Sequence, residues 1–376
     1  TQDPELFNGN AMTYYGRWTY KYDEAAAQGA AGAIIVHDTL PAAYGWATVE
    51  TSWTGPQFNM ELQDKGARLS LLEGWITREQ AQALVARAGQ DLEALYEAAA
   101  KPGFKAVPLE GLTASASMEI ELQQIVSQNV AGVLRGSEAP EEVFIYMAHW
   151  DHLGTDESLE GDQIYNGALD NASGTAALME IALAYKSLDQ APRRSVLFLA
   201  LAAEEQGLLG SRFYASEPLF PLQKTAGGLN MDGMNNFGET RDITVVGLGM
   251  SDLDDYLAAA AAEQERFLAA DREAEKGYYF RSDHFELAKE GVPMLYPNKG
   301  YDHREKGVAY GMEKANEYTE DHYHRVSDEY DLSWDVSGAL EDMETFFRTG
   351  LEVANSDAWP NWKEGTEFRG KRDAQR

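Results

Sequence analysis

The spacing of hydrophobic positions changes from segment to segment and indicates where strands and helices lie. Continuous apolar runs, typical of strands buried on both faces of a sheet, occur at residues 143–148, 195–202, 227–231 and 243–246. Helical periodicity occurs at residues 172–188, 208–215, 253–267 and 336–354. Because strand and helix alternate, the pattern predicts an α/β fold in which a mainly parallel, mixed central sheet is flanked by helices.

The first hundred or so residues have shorter and less regular elements. Residues 24–27 are helix-like, and the apolar run 33–36 predicts a strand after them. Residues 77–99 predict one long helix, which Thr77 caps together with Gln80 three residues later. This part of the chain therefore predicts a helix packed on a strand, followed by a second helix.

Three further segments carry a weaker pattern. Residues 40–70 are rich in Gly, Pro, Thr and Trp and show no sustained period. Residues 115–121 and 127–135 alternate between apolar and polar side chains, which predicts two strands. The basic tail at residues 362–376 is interpreted as a solvated, frayed end of the chain.

The net charge limits the class of partner. The 376 residues include 31 Lys and Arg against 62 Asp and Glu, which gives a formal net charge of −31. Nucleic-acid binding depends on cations that displace counterions from phosphates, so no nucleic-acid partner is expected. An anionic membrane surface is disfavoured for the same reason. No segment approaches the ~18 consecutive apolar residues of a spanning helix, so no membrane span is predicted.

The absence of cysteine limits the chemistry. With no Cys in the chain, disulfides, thiolate nucleophiles and cysteine-bound metals are excluded. Any metal must therefore be bound by His and carboxylate side chains. The HExxH, GxSxG and GxxxxGKS/T motifs of zincins, serine hydrolases and P-loop proteins are also absent from the sequence.

Candidate ligands follow three of the predicted strands. They are His149 and Asp151, Glu204 and Glu205, and Asp232. Molecules and ions that bind to open α/β sheets lie just beyond the carboxyl ends of the strands. We therefore expect these side chains to meet at one edge of the sheet.

The spacing of these residues suggests a role for each pair. In His149-x-Asp151 both side chains point to the same side, so Asp151 can accept the second imidazole N–H and fix its tautomer. Adjacent Glu204 and Glu205 point in opposite directions, so one can bind a metal while the other faces a water molecule. Acidic residues also favour a helix N-terminus, which is an alternative interpretation of this pair.

Two further positions have alternative interpretations on spacing alone. Asp170, in the small-residue segment GALDNASG, is either a ligand or the cap of the helix that follows. Late in the chain, His322 and His324 are both candidate ligands, and their spacing does not select one of them.

The combined set resembles the M28 family of cocatalytic zinc peptidases. The matching motifs are His149-x-Asp151, Asp170 in GALDNASG, Glu204-Glu205, Asp232 in NMDG and His324 in YHRVSDE. The resemblance extends over residues 143–354 and implies the zinc-dependent exopeptidase fold. The YHxxxD context of the family's last ligand favours His324 over His322.

The resemblance also implies a role for each matching residue. One zinc is expected on His149 and Asp232, a second on Glu205 and His324, with Asp170 as the bridge between them. Glu204 is the expected general base, Asp151 orients His149, and the peptide bond after Asp170 is expected to be strained or cis. Two Zn²⁺ per chain are implied, with Co²⁺ or Mn²⁺ as possible substitutes.

Two domains are predicted from the same resemblance. Residues 1–112 resemble the later part of a protease-associated (PA) insert, and residues 113–376 resemble the peptidase domain. The start of the insert and the family's initial peptidase segment are not recognised in the sequence. Arg281, Ser282, Asp283 and His284 resemble a motif near the substrate pocket and are predicted to bind substrate.

The expected function is that of an aminopeptidase acting on peptides, in a secreted or periplasmic setting. Three alternatives stay open: a carboxypeptidase in which Arg281 binds the terminal carboxylate of the substrate, a glutaminyl-cyclase-like acyltransferase with one zinc, and an inactive binding or receptor module. The complete set of ligands disfavours the last two. The sequence leaves the oligomeric state open.

Overall fold

A computed structural model of the chain describes residues 13–42, 45–46, 49–50, 56–61 and 70–375. Much of the irregular segment 40–70 and the last residue of the basic tail lie outside these residues. The chain divides into two compact units: residues 1–125 with 273–280, and residues 126–272 with 281–376. The division into a PA-like and a peptidase domain at residue 112 stays a prediction.

The smaller unit contains a two-stranded parallel sheet and several helices. Its elements are α1 (Trp18–Ala27), β1 (Gly32–His37), α2 (Thr39–Ala42), β2 (Leu72–Thr77), α3 (Arg78–Arg87) and α4 (Leu92–Ala99). β1 pairs with β2, and the Tyr22 hydroxyl of α1 donates a hydrogen bond to the Gly74 carbonyl oxygen of β2 at 2.8 Å. The predicted helix at 24–27 and strand at 33–36 are confirmed.

The prediction of one helix over residues 77–99 is wrong, although its cap is right. Thr77 and Gln80 form the expected capping box at the start of α3. After α3 ends, Gly89 has a φ of 72°, which a right-handed helix cannot continue. Asp91 then accepts the backbone N–H of Ala94 at 2.9 Å and starts α4 as a new helix.

The larger unit contains the central sheet. The strands of this unit are β3 (Val130–Leu134), β4 (Ala139–His149), β5 (Gly154–Thr155), β6 (Ile164–Tyr165), β7 (Arg194–Leu201), β8 (Thr225–Asn230), β9 (Asp242–Val245), β10 (Phe267–Ala270), β11 (Met294–Leu295) and β12 (Pro297–Asn298). β9, β10 and β12 form a smaller sheet of their own, and β5 pairs with β6. The main sheet has the order β11-β8-β4-β7-β3. Every neighbouring pair is parallel except β3 with β7. The predicted mixed, mainly parallel sheet is thereby confirmed.

Helices cover this sheet. They are α5 (Ser173–Lys186), α6 (Leu209–Ser216), α7 (Leu253–Ala262), α8 (His284–Lys289), α9 (Gly307–Asp321), α10 (Ser337–Asn355) and α11 (Arg369–Ala374). Within the ranges that the structure describes, no helix combines the length and apolarity needed to cross a bilayer.

The side chains of β4 alternate between two hydrophobic cores. Phe144 and Tyr146 pack in one core with side chains of α5, α7 and α10. Ile145 and Met147 pack in the other with side chains of α6 and α8. Both faces of the sheet are therefore filled, and polar chemistry is left to the ends of the strands.

Two predicted elements differ from the structure. Residues 115–121 form no strand, whereas the predicted strand at 127–135 is present as β3. The helix predicted over 253–267 ends at Ala262, because Glu265 has a φ of 56°. Phe267 then begins β10, which pairs with β9.

The C-terminal tail is anchored, which contradicts the interpretation of a frayed end. Trp362 is fully buried, and its indole N–H donates to the Gly291 carbonyl oxygen at 2.9 Å. Arg372 of α11 is also fully buried and donates to the Thr225 carbonyl oxygen of β8 at 2.9 Å. The tail therefore packs at the start of β8, at the end of the central sheet opposite to the candidate metal ligands.

Candidate metal centre

The ends of three neighbouring strands deliver the candidate ligands. His149 is the last residue of β4 and lies opposite Leu201, the last residue of β7. Glu204 and Glu205 follow β7 after a turn in which Ala203 has a φ of 56°. Asp232 follows β8, which pairs with the other side of β4. The predicted edge of the sheet is thus where these side chains lie.

His149 faces two carboxylates through one nitrogen. Its Nε2 lies 3.2 Å from Asp170 Oδ1 and 3.3 Å from Asp232 Oδ1. Its Nδ1 lies 3.1 Å from the backbone oxygen of Asp151, which fixes the N–H on Nδ1 and leaves Nε2 free to bind a metal.

His324 faces a second pair of carboxylates. Its Nε2 lies 3.0 Å from Glu205 Oε2 and 3.3 Å from Asp170 Oδ2. Asp170 therefore offers one oxygen to each histidine. His322 instead places Nδ1 3.0 Å from the backbone oxygen of Ser327.

The spacing around His149 is that of side chains sharing one metal ion. Ligand atoms around a tetrahedral zinc with bonds of ~2.0 Å are separated by about 3.3 Å. The distances from His149 to its two carboxylates, 3.2 and 3.3 Å, have this length. Within the part of the chain that the structure describes, possible metal-binding groups are formed by His149, Asp170 and Asp232, and by His152, Asp170 and Glu205.

The turn at Ala168–Ala172 positions Asp170. The Asp170–Asn171 peptide bond is cis, as the resemblance implies. Asn171 Oδ1 accepts the backbone N–H groups of Gly174 and Gly233, both at 3.0 Å. The side chain of Asn171 therefore ties the turn to the segment that follows Asp232.

Asp328 supports the same turn from another segment. It is buried, and its two oxygens accept the backbone N–H groups of Leu169 at 2.9 Å and Asp170 at 3.1 Å. The Tyr318 hydroxyl also donates to Asp328 Oδ2 at 3.0 Å. Asp328 thus fixes the backbone of Asp170, the candidate bridging ligand.

The protonation of the two histidines reflects the negative field of the site. Burial lowers the pKa of His149, but hydrogen bonds to Asp170 and Asp232 outweigh this and raise its pKa well above the usual value. Burial likewise opposes protonation of His324, and Asp170 and Glu205 still raise its pKa to about 10. Carboxylates that favour the cationic form of both histidines also attract other cations.

Glu204 lies in a different environment from Glu205. Burial raises the pKa of Glu204 well above its usual value, and the charges of Glu205 and Asp232 contribute to the rise. Burial acts in the same direction on Glu205, but hydrogen bonds from His152 and His324 bring the pKa of Glu205 below its usual value. The adjacent carboxylates are therefore suited to different tasks, one exchanging protons and the other binding a cation.

Asp151 differs from its expected role in one respect. Its carboxylate Oδ1 lies 3.8 Å from His149 Nδ1, farther than its own backbone oxygen. The reason is that Oδ1 accepts the backbone N–H of Glu204 at 3.0 Å. The Asp151 carboxylate thus contacts the predicted general base, while the backbone orients the imidazole.

The four residues predicted to bind substrate lie near Asp232. Ser282 donates a hydrogen bond to Asp232 Oδ2 at 2.5 Å, and Asp283 accepts one from Ser211 at 2.6 Å. Ser282, Asp283 and His284 are buried, whereas Arg281 is partly exposed. Their role in substrate binding stays a prediction, and the structure adds that Ser282 supports a ligand.

Three residues at the site were not singled out from the sequence. Asp328 and Tyr323 lie in the YHRVSDE motif, which gave only the context for His324. The Tyr323 ring stacks on the His324 ring with centroids 3.9 Å apart. Desolvation and the charges of Asp170 and Glu205 raise the pKa of Tyr323 well above its usual value, although 47% of the residue's surface is exposed. For His152, the only indication in the sequence was its position directly after Asp151.

Two histidines share a carboxylate neighbour, Asp170, beyond the strand ends of a mixed sheet. This arrangement is that of an α/β metallohydrolase. The model of peptidase family M28 matches residues 129–346. The chain therefore belongs to peptidase family M28, and the resemblance noted in the sequence is confirmed.

Curated relatives match shorter stretches. A segment of 127 residues is 34% identical to aminopeptidase NAALADL1 of Mus musculus and covers 32% of this chain and 16% of that protein. A segment of 159 residues is 31% identical to a probable zinc metalloprotease of Pyricularia oryzae and covers 42% of this chain and 28% of that protein. The matched segments thus span less than a third of these relatives.

Solved structures match the chain at low sequence identity. An aminopeptidase from Aneurinibacillus sp. strain AM-1 has a TM-score of 0.49 at 20% identity, over 90% of this chain and 66% of that one. A glutaminyl cyclase from an Acidobacteriales bacterium has a TM-score of 0.42 at 19% identity, over 60% of this chain and 73% of that one.

Proposed function

We propose that this chain is the catalytic part of a zinc aminopeptidase that uses two metal ions and Glu204 as general base. The observation that carries the proposal is the position of Asp170, whose two oxygens lie 3.2 Å from His149 Nε2 and 3.3 Å from His324 Nε2. Bound there, two divalent cations would polarise a scissile carbonyl and lower the pKa of a water molecule toward neutrality.

The ligand set balances the charge of such a site. Asp170, Asp232 and Glu205 contribute three negative charges, which offset most but not all of the charge of two divalent ions. The remaining positive charge favours a carbonyl oxygen. Histidine and carboxylate ligands suit zinc, and the names of the curated relatives agree with that metal.

Glu204 is suited to carry the proton between water and the leaving amine. Its backbone is fixed by the Asp151 carboxylate at 3.0 Å, and burial raises its pKa well above the usual value, which is the direction in which enzymes tune a carboxylate for proton transfer. The Glu204 carboxylate removes a proton from the attacking water and later gives it to the amine nitrogen of the departing peptide.

Tyr323 is suited to stabilise the negative charge that develops on the carbonyl oxygen. Desolvation and nearby carboxylates raise its pKa above the usual value, so the phenol stays protonated at neutral pH and can donate a hydrogen bond. Its ring is fixed by stacking on His324. A donor positioned in advance is worth ~2.7–4 kcal/mol in comparable oxyanion sites.

A carboxypeptidase is the second candidate, because one more cation lies in the field of the ligands. Burial lowers the pKa of Lys299, while the charges of Asp170 and Asp232 raise it. Its ammonium group also lies 5.3 Å from the centre of the Tyr318 ring. Lys299 could bind the terminal carboxylate of a substrate, as a carboxypeptidase requires. The excess of carboxylates at the site instead favours a substrate ammonium group, as an aminopeptidase requires.

Metal analysis combined with an assay on three dipeptides tests the proposal. The substrates are a free dipeptide, the same dipeptide acetylated at its N-terminus, and one amidated at its C-terminus. We expect two zinc ions per chain and hydrolysis of the free and amidated forms only. Hydrolysis of the free and acetylated forms only would identify the carboxypeptidase, and a single metal per chain would refute the two-metal mechanism.

A further inference from the structure

His152 lies beside the metal ligands but has no task in the mechanism above. It follows His149 by three residues, and its side chain is only 7% exposed. Its Nδ1 lies 2.7 Å from Oε1 of Glu205. The other oxygen of Glu205, Oε2, lies 3.0 Å from His324 Nε2. The two oxygens of Glu205 therefore face two different imidazoles.

The structure provides a closely fitted slot for the His152 ring. Gly167 has a φ of 58°, and a Cβ atom at this position would lie 2.6 Å from His152 Cγ. Only glycine leaves room for the ring there. The rings of His324 and Tyr165 approach it with centroids 5.7 and 6.5 Å away. The side chain of His152 is thus held by its neighbours in the orientation that reaches Glu205.

The surroundings also determine which nitrogen of His152 carries the proton. Glu205 is an acceptor when ionised, so the atom that faces it at 2.7 Å must be an N–H donor. Nε2 is buried and has no hydrogen-bond partner among the residues that the structure describes. A proton on Nδ1 gives Glu205 its donor, whereas a proton on Nε2 would place a buried N–H where it has no acceptor among those residues.

We propose that His152 is a positioning residue that holds Oε1 of Glu205 through an Nδ1–H hydrogen bond and leaves Oε2 alone to bind the metal shared with His324. The inference rests on the proposed function, because it concerns one ligand of that site. Binding through one oxygen keeps a position open on the metal, which a catalytic site requires.

Direct metal binding by His152 is the competing role. One possible ligand atom from each of His152, Asp170 and Glu205 lies within 4.8 Å of the other two. The distance between His152 Nδ1 and Glu205 Oε1 is 2.7 Å, shorter than the about 3.3 Å between ligands that share a tetrahedral metal. It matches a hydrogen bond to a charged acceptor instead.

Metal titration of three variants tests this role. His152→Ala removes the donor. His152→Asn keeps a donor at the same number of bonds from the backbone as Nδ1, without the imidazole that zinc prefers. His322→Ala is the histidine control, because His322 contacts Ser327 and not the carboxylates. Zinc affinities are measured by competition with a chromophoric chelator, and the melting temperature of the metal-free protein reports folding.

We expect His152→Ala to retain one tight zinc and to weaken the other about 10- to 100-fold. His152→Asn and His322→Ala should both bind two zinc ions with nearly wild-type affinity. If His152→Asn loses as much affinity as His152→Ala while its metal-free melting temperature is unchanged, His152 is a direct ligand and the proposal is overturned. Unchanged affinity in His152→Ala overturns it as well.

The proposed function fails in a different way. A wild-type chain that binds fewer than two zinc ions refutes the two-metal site, and the role of His152 falls with it. A wild-type chain that binds two zinc ions and hydrolyses dipeptides, with the variants failing as above, refutes only the role of His152.

Discussion

Asp328 Oδ2 accepts the backbone N–H of Asp170 at 3.1 Å, so the residue proposed to bridge two metals is held through its main chain. In Asp328→Asn, an amide that can place a donor against this N–H replaces a carboxylate that could only accept. We expect both zinc affinities to fall about 10- to 100-fold, because both metals share Asp170. Competition titration with a chromophoric chelator measures each affinity.

Asp331→Asn is the control for this prediction. Asp331 lies three residues later on the surface and accepts the backbone N–H of Ser333 at 2.7 Å. Its substitution should leave both zinc affinities unchanged. A loss confined to one zinc in Asp328→Asn would contradict the idea that Asp328 acts through the bridging residue.

Glu204→Gln separates catalysis from metal binding. Glu204 is assigned no place among the ligands, so the variant should retain two zinc ions. Loss of the general base should lower kcat by at least about 100-fold. Metal content and kcat on a free dipeptide are measured on the same preparation. Wild-type turnover would remove Glu204 from the mechanism, and loss of a metal would make it a ligand.

His324→Ala and His322→Ala distinguish the two histidines that spacing alone could not. His324 Nε2 lies 3.0 Å from Glu205 Oε2, whereas His322 Nδ1 lies 3.1 Å from the Ser327 hydroxyl. We expect His324→Ala to lose one zinc per chain and His322→Ala to keep both. The reverse result would show that the last ligand is His322.

The sequence predicted the ligands because each lies at a strand end or in a motif. Strand ends are visible as the point where an apolar run meets polar residues, and His149, Glu204 and Asp232 all lie there. Parallel strands bring such points to one edge whatever the intervening helices are. The local pattern therefore carried long-range information about the site.

The residues that support the ligands were not predictable in the same way. Asp328 reaches the backbone of Asp170 across 158 positions, and the YHxxxD motif marked it only as context for His324, with no sign of its contact with Asp170. The break in the helix at 77–99 had a local signal in Gly89, but helical periodicity on both sides concealed it. Supporting contacts depend on how segments fold against each other, and spacing along the chain does not report this.

Glu142 gives a prediction on the pH dependence of stability. It accepts hydrogen bonds from Arg194 at 2.8 Å and Arg193 at 3.1 Å. Burial raises the pKa of Glu142, but these arginines outweigh it and bring the pKa below its usual value. The stabilisation is thus complete above the unfolded pKa and is lost as pH falls through the folded pKa. We expect Glu142→Gln to lose about 1.5–3 kcal/mol at pH 7.

The loss should shrink as the wild-type carboxyl becomes protonated, because both proteins then carry a neutral side chain. Urea unfolding of wild type and Glu142→Gln at intervals from pH 7 to pH 3 measures the difference in free energy of unfolding. Glu138→Gln is the matched control, since the Glu138 side chain is 74% exposed and 3.9 Å from Arg193, and exposed pairs contribute at most about 1 kcal/mol. A difference for Glu142→Gln that stays constant across this range would mean that shape and not charge holds Arg194, whose guanidinium also donates to the Val353 and Ala358 carbonyl oxygens.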